Sequence, residues 1–148
     1  MLRRCATQPS RCGRAAGSTF DSGQDGGVRV GSLKIQNATR DTALATEADA
    51  ADSSRKRRVG LLKHTSLPAG QGLWIAPCEG IHTFGMKFPI DVIFLDRRKR
   101  VLKIRCDMGP RRIALCLMGH SVLELPAGTI AATHTQKGDQ LVFEEQAG

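Results

Sequence analysis

The chain has 148 residues, a formal net charge of +8 and 41% hydrophobic residues, which suits one domain with a buried core. No apolar run reaches the roughly eighteen residues of a membrane helix, and Met1-Leu2-Arg3-Arg4 opens no apolar secretory segment. The expected location is cytoplasmic, where five cysteines, an odd number without a Cys-x-x-Cys pair, read as reduced thiols.

Residues 1–27 are rich in Gly, Ser, Arg and Gln, and Leu2 and Phe20 are their large apolar residues besides Met1. So little apolar surface cannot offset the entropy of ordering, which predicts a disordered tail or a start assigned upstream of the domain. Residues 28–148 then form a single β-rich domain. Alternation predicts strands at 33–36 and 42–46, with turn chemistry between them. Asp52 or Ser53 can cap a helix over 54–65, with Val59 and Leu62 on its buried side. Pro68, Gly70 and Gly72 then mark a loop.

Short strands are expected at 73–75, 81–84, 90–95, 101–107, 112–117, 121–125 and 140–144. Turns separate them at 77–80, 109–110, 118–120 and 137–139. Pro126 can open a brief helix running to about His134, because Pro suits a first helical position. Many short strands at close spacing make the fold class mainly β: an antiparallel sandwich or small barrel with one or two short helices.

Charge is concentrated in 97–112, where eight Lys or Arg face a single acid, Asp107. The basic residues are Arg97, Arg98, Lys99 and Arg100 at a hairpin tip, then Lys103, Arg105, Arg111 and Arg112. Lys103 and Arg105 alternate with Leu102, Ile104 and Cys106 and so share one face of a strand. Such a patch could attract nucleic acid or an acidic partner, yet Lys and Arg also protect a sheet edge from pairing. Aromatic residues are 4% with no Tyr, which disfavours base-stacking recognition.

Candidate chemistry lies in 72–96. Asp91 shares a strand face with Ile93 and Leu95 and must be hydrogen-bonded if buried. It either caps loop N–H groups or binds an Arg to hold the 84–89 loop, or it serves as a base or ligand contact. Cys78 and His82 stand four apart and could pair as nucleophile and base with Asp91 orienting the ring. They could also supply two zinc ligands, but His64, His120 and His134 are too scattered to complete a site. Glu124, between Leu123 and Leu125, reads as a residue on a solvated outer face. Trp74 and Met86 read as core or pocket wall.

Several of these segments are similar to a known family. They are Arg58-Val59-Gly60-Leu61-Leu62, His82-Thr83-Phe84-Gly85-Met86 through Pro89-Ile90-Asp91, Val122-Leu123-Glu124-Leu125-Pro126-Ala127-Gly128 and Gly138-Asp139. Over 33–144 the chain resembles the uncharacterised bacterial and archaeal proteins catalogued as domain of unknown function 192. Met86-Lys87-Phe88 departs from the Met-Asn-Thr of many members. The resemblance implies a β-rich domain with short helices outside the sheet, and it carries over no catalytic residue.

The leading expectation is a non-enzymatic domain binding a small ligand or a protein partner. Its site is placed where Trp74, Cys78, His82, Phe84, Met86 and Asp91 are expected to converge. The alternatives are a hydrolase or metal-dependent enzyme built on Cys78, His82 and Asp91, and a nucleic-acid accessory protein using 97–112. No cofactor, resident metal or membrane span is expected.

Overall fold

Alternating apolar residues run through nearly every element of the computed structural model, which describes residues 32–51 and 65–147. The strands are β1 Leu33–Asn37, β2 Thr42–Ala51, β3 Gln71–Ile75, β4 Gly80–His82, β5 Ile90–Leu95, β6 Val101–Met108, β7 Ile113–Leu115, β8 Ser121–Pro126 and β9 Leu141–Glu145. Among the described residues one short helix, α1 Thr129–Ala132, precedes β9. The tail expected over 1–27 and, but for its last residue, the helix expected over 54–65 lie outside the described residues.

Seven strands form one curled sheet in the order β6-β5-β8-β3-β2-β1-β9, a half-barrel, and β4 pairs with β7 in a second, two-stranded sheet. The β-rich class expected from the sequence stands. One pair departs from the antiparallel expectation: β2 and β3 run parallel from Glu47↔Gln71 to Ala51↔Ile75. The strand expected over 42–46 continues to Ala51 to make this pairing. The two edge strands meet at one end, where Val101 N–H donates to Asp139 O (2.9 Å) and Leu141 N–H to Lys99 O (3.0 Å).

The core lies on both faces of the sheet. β5 is buried at all six positions because both its faces are covered. Ile93, Leu95, Leu123 and Leu125 pack with Leu33, Ile35, Val101, Ile130 and Leu141. Residues from both edges meet in this one cluster, so it fills the inside of the curl. Val92, Phe94, Val122 and Ile75 face the other way and pack under Met86, Met108 and Ala114. The outer cluster is roofed by the small sheet and the chain around it.

Thr83 ties that roof down. It is fully buried, its Oγ1 donates to Gly109 O (2.7 Å) and accepts from Arg112 N–H (2.9 Å), and its own N–H reaches Arg112 O (2.9 Å). One side chain thus fixes β4 against the segment entering β7.

The helix starts later than Pro126 suggests. Pro126 ends β8, and Gly128 with φ 93° occupies the N-cap position, a left-handed conformation that glycine adopts freely. Asp91 supplies what that cap lacks, since its Oδ2 accepts from Ile130 N–H at 2.8 Å.

Below the junction of the edge strands sits a buried polar network. Asn37 Nδ2 donates to Thr135 Oγ1 (3.1 Å) and Asp139 Oδ2 (2.9 Å), while its Oδ1 accepts from the N–H groups of Thr39 and Arg40. Asp139 also accepts from Gln136 N–H (2.9 Å) and Arg40 Nε (3.1 Å). Burial works to raise the Asp139 pKa, but the bonds from Asn37, Gln136 and Arg40 and the Arg40 charge outweigh it, and the pKa ends below its ordinary value. Its stabilisation is therefore present above the ordinary carboxylate pKa and is lost as pH falls through the lowered one. Asn37→Ala leaves several of these groups unsatisfied and is expected to lower unfolding free energy by about 2 kcal/mol. Urea denaturation at neutral pH checks this, and an unchanged midpoint would show the network to be dispensable.

Candidate functional site

The residues expected to converge fall on the two faces of the large sheet. Trp74 is in register with Leu123, and Asp91 with Leu125, so both belong to the inner face. Cys78 and Met86 pack against the outer cluster instead. His82 and Phe84 are exposed beyond it, their rings tilted at 5.6 Å between centroids. Cys78, His82, Phe84 and Met86 therefore belong to one side of the molecule, while Trp74 and Asp91 belong to the other. Strand alternation sends the residues of 72–96 in opposite directions, so these six side chains do not meet at one point.

Asp91 is fully buried and occupied at both oxygens. Oδ1 accepts from Asp107 N–H and Oδ2 from Ile130 N–H, each at 2.8 Å. It holds the end of β6 and the start of α1, not the 84–89 loop. The Cys78 thiol donates to Gly80 O at 3.0 Å and lies inward, whereas His82 faces out. Cys78, His82 and Asp91 are thus not gathered around one point. No group of three or more His, Cys, Asp or Glu suited to a metal ion occurs among the described residues.

On the inner face Trp74 meets a residue the sequence left with the basic block. Lys99 has φ 64° at the hairpin tip, and its Nζ lies 3.7 Å from the Trp74 ring centroid and 4.9 Å from that of Phe143. The two rings pack edge to face at 5.2 Å. Burial against them pushes the Lys99 pKa down, while cation–π attraction retains the charge in place. Trp74 Nε1 is buried without a hydrogen-bond partner among the described residues.

The other basic residues divide between the hairpin tip and the outer face. Arg97, Arg98 and Arg100 are exposed at the turn, where Asp96 Oδ1 accepts from the N–H groups of Arg98 (2.8 Å) and Arg100 (2.9 Å). Lys103 and Arg105 share the outer face through register with Phe94 and Val92. Lys103 is half-buried, and its Nζ donates to Leu115 O at 2.6 Å. Arg105 is exposed, as are Arg111 and Arg112 ahead of β7.

A concavity of about 420 Å³ opens where β3 and β5 end and β8 begins. Its lining is Pro77, Glu79, Asp96, Arg97, Arg98, Met118, Gly119 and His120. Backbone bonds shape it: His120 N–H donates to Leu95 O and Cys78 N–H to His120 O, both at 2.8 Å. His120 Nδ1 and the neighbouring Ser121 Oγ are buried without partners among the described residues. Neither guanidinium in the lining belongs to an ion pair among the described residues, which leaves both able to meet an anion. Sequence reasoning set His120 aside as a scattered imidazole. Its position became meaningful through pairing with Leu95 and Cys78, which are distant in sequence.

The fold and these motifs have counterparts. The family pattern described as uncharacterized ACR, domain of unknown function 192, matches residues 35–143. The chain belongs to this family. A solved protein of unknown function from Novosphingobium aromaticivorans is 20% identical with a TM-score of 0.66, covering 75% of this chain and 83% of that one. A Sinorhizobium meliloti protein, provisionally described as a transcription regulator, is 19% identical with a TM-score of 0.67, covering 76% and 92%. Both likenesses speak to fold. No curated protein matches the chain.

The family segment at 122–128 contains the clearest departure from sequence expectation. Glu124 is buried, not solvated: it pairs with Leu73 on one side and Val92 on the other, on the outer face. Its Oε2 has no hydrogen-bond partner among the described residues. Burial alone raises its pKa to about 7. Arg105 lies one strand further, across Val92, and reaches Ile104 O instead. Alternation placed Glu124 opposite Leu123 and Leu125 correctly, but the roof that covers its face comes from other parts of the chain.

Proposed function

We propose that the domain is a non-catalytic binding module whose ligand presents an anion to Arg97 and Arg98 in the concavity beside His120. The observation that carries this reading is the pocket itself: about 420 Å³, within the range of small-ligand sites, with two guanidinium groups free to pair. Asp96 is already held by two turn N–H groups, and the wider basic block of 97–112 tilts the local potential positive. Guanidinium groups bind carboxylate and phosphate oxygens through paired hydrogen bonds, which gives a small ligand both energy and orientation.

The enzyme alternative has less support, since Asp91 is committed to backbone N–H groups on the face opposite Cys78. A nucleic-acid role has less support too, because Lys99 folds over Trp74 and Lys103 is tied to Leu115 O. Calorimetric titration with inorganic phosphate and with citrate, at low salt, tests the proposal. R97E/R98E is expected to weaken the tighter of the two by about tenfold or more. Equal affinity in parent and variant would sink the reading.

A further inference from the structure

The turn after β7 projects the most exposed large apolar residues described in the molecule. Leu117 is 79% and Met118 84% exposed, and Ile113 (63%) and Leu115 (55%) line the outer face of β7 leading to them. Large side chains left this far in water, four within six positions, are the kind of exposed apolar cluster that marks an interaction site. The turn is held firmly. Cys116 N–H donates to Glu79 O (2.7 Å) and Gly119 N–H to Cys116 O (2.8 Å), while His120 is fixed to Leu95 and Cys78. A Cβ on Gly119 would stand 2.8 Å from Cys116 O, so the tight turn needs glycine there.

Cations fringe this tip. Arg97 and Arg98 line the same concavity as Met118, the Lys103 ammonium rests on Leu115 O, and Arg111 and Arg112 are exposed just before Ile113. Glu79 and Asp96 are the acids of that lining, and Asp96 Oδ1 accepts the two turn N–H groups. Leu117 and Met118 are the most exposed of these side chains, on a turn with basic residues on its flanks. Exposed apolar side chains with basic neighbours match a headgroup layer over an acyl boundary.

We infer that this tip seats the domain on an anionic lipid surface, with Leu117 and Met118 entering the acyl boundary and Arg97 and Arg98 holding headgroup phosphates. The inference rests on the reading of the concavity as an anion site and adds the source of the anion. Co-sedimentation of the full chain with phosphatidylcholine vesicles, alone or containing phosphatidylglycerol, tests it beside the phosphate titration. The full chain has further Arg residues outside the tip, so the readout is each variant's binding relative to the parent.

The parent is expected to favour the anionic vesicles by about tenfold or more, with binding that falls as salt rises. L117S, which lies outside the concavity lining, is expected to lose about fivefold of that binding while keeping the parent's phosphate affinity and denaturation midpoint. R97E/R98E is expected to lose both. A parent that ignores anionic vesicles, or an L117S variant that sediments as the parent does, overturns the inference even if phosphate binds. Binding to vesicles that survives R97E/R98E, with no phosphate affinity in the parent, overturns the anion reading of the concavity. A parent that binds neither phosphate nor vesicles overturns both.

Discussion

Replacing Asp91 with Ala is expected to lower the unfolding free energy by about 3 kcal/mol, because a buried and a part-buried N–H group lose a charged acceptor at once. One is Asp107 N–H at the end of β6, and the other is Ile130 N–H at the start of α1. Neither has an easy substitute. Asp107 has φ 50°, a left-handed conformation that the bond to Asp91 helps to hold, and the α1 N-cap residue is a glycine with no side chain. Asp91→Asn separates charge from shape. The amide retains one acceptor but turns a donor toward the second N–H, so it should recover less than half of the loss. Urea denaturation of parent and both variants gives the comparison. A near-neutral Asp91→Ala would show that the carboxylate is dispensable to folding and would return it to the list of binding groups.

Glu124 is expected to act in the opposite sense. A carboxyl group whose pKa rises from 4.5 to about 7 on folding favours the folded state while it is protonated. Its contribution is fully present below pH 4.5 and is lost as pH rises through about 7. Across that window the parent should lose about 3 kcal/mol of stability on account of this one group. Glu124→Gln keeps the size and cannot ionise. Its stability relative to the parent should therefore improve by about 3 kcal/mol between pH 4.5 and pH 8. Denaturation midpoints measured at both pH values test this, and parallel pH profiles for parent and variant would show that Glu124 does not titrate in the window. Asp139 has the reverse sign, so the two carboxylates can be told apart: its effect appears on the acid limb.

Local features of the fold were legible because they depend on neighbours in sequence. Alternation marked β5, β6 and β8 closely, and the Asp96 to Arg100 tip formed as a turn because Asp96 can accept from two N–H groups ahead of it. The family segments also read directly from residues. Site geometry was less legible. Trp74 and Asp91 lie in the same informative stretch as Cys78 and Met86, yet their strands send them to opposite faces.

The sequence by itself determined a β-rich chain of the domain of unknown function 192 type and the approximate positions of its strands. Tertiary structure decided which faces are covered. A period of two distinguishes the faces of a strand but does not say which one another segment will roof. Thr83 and Arg112, 29 positions apart, close the roof under which Glu124 becomes buried. The parallel β2–β3 pair, Lys99 over Trp74 and the His120 concavity likewise depend on groups brought together from distant positions. Local propensity is silent about such contacts, because their energy arises when the sheet curls and its edges meet.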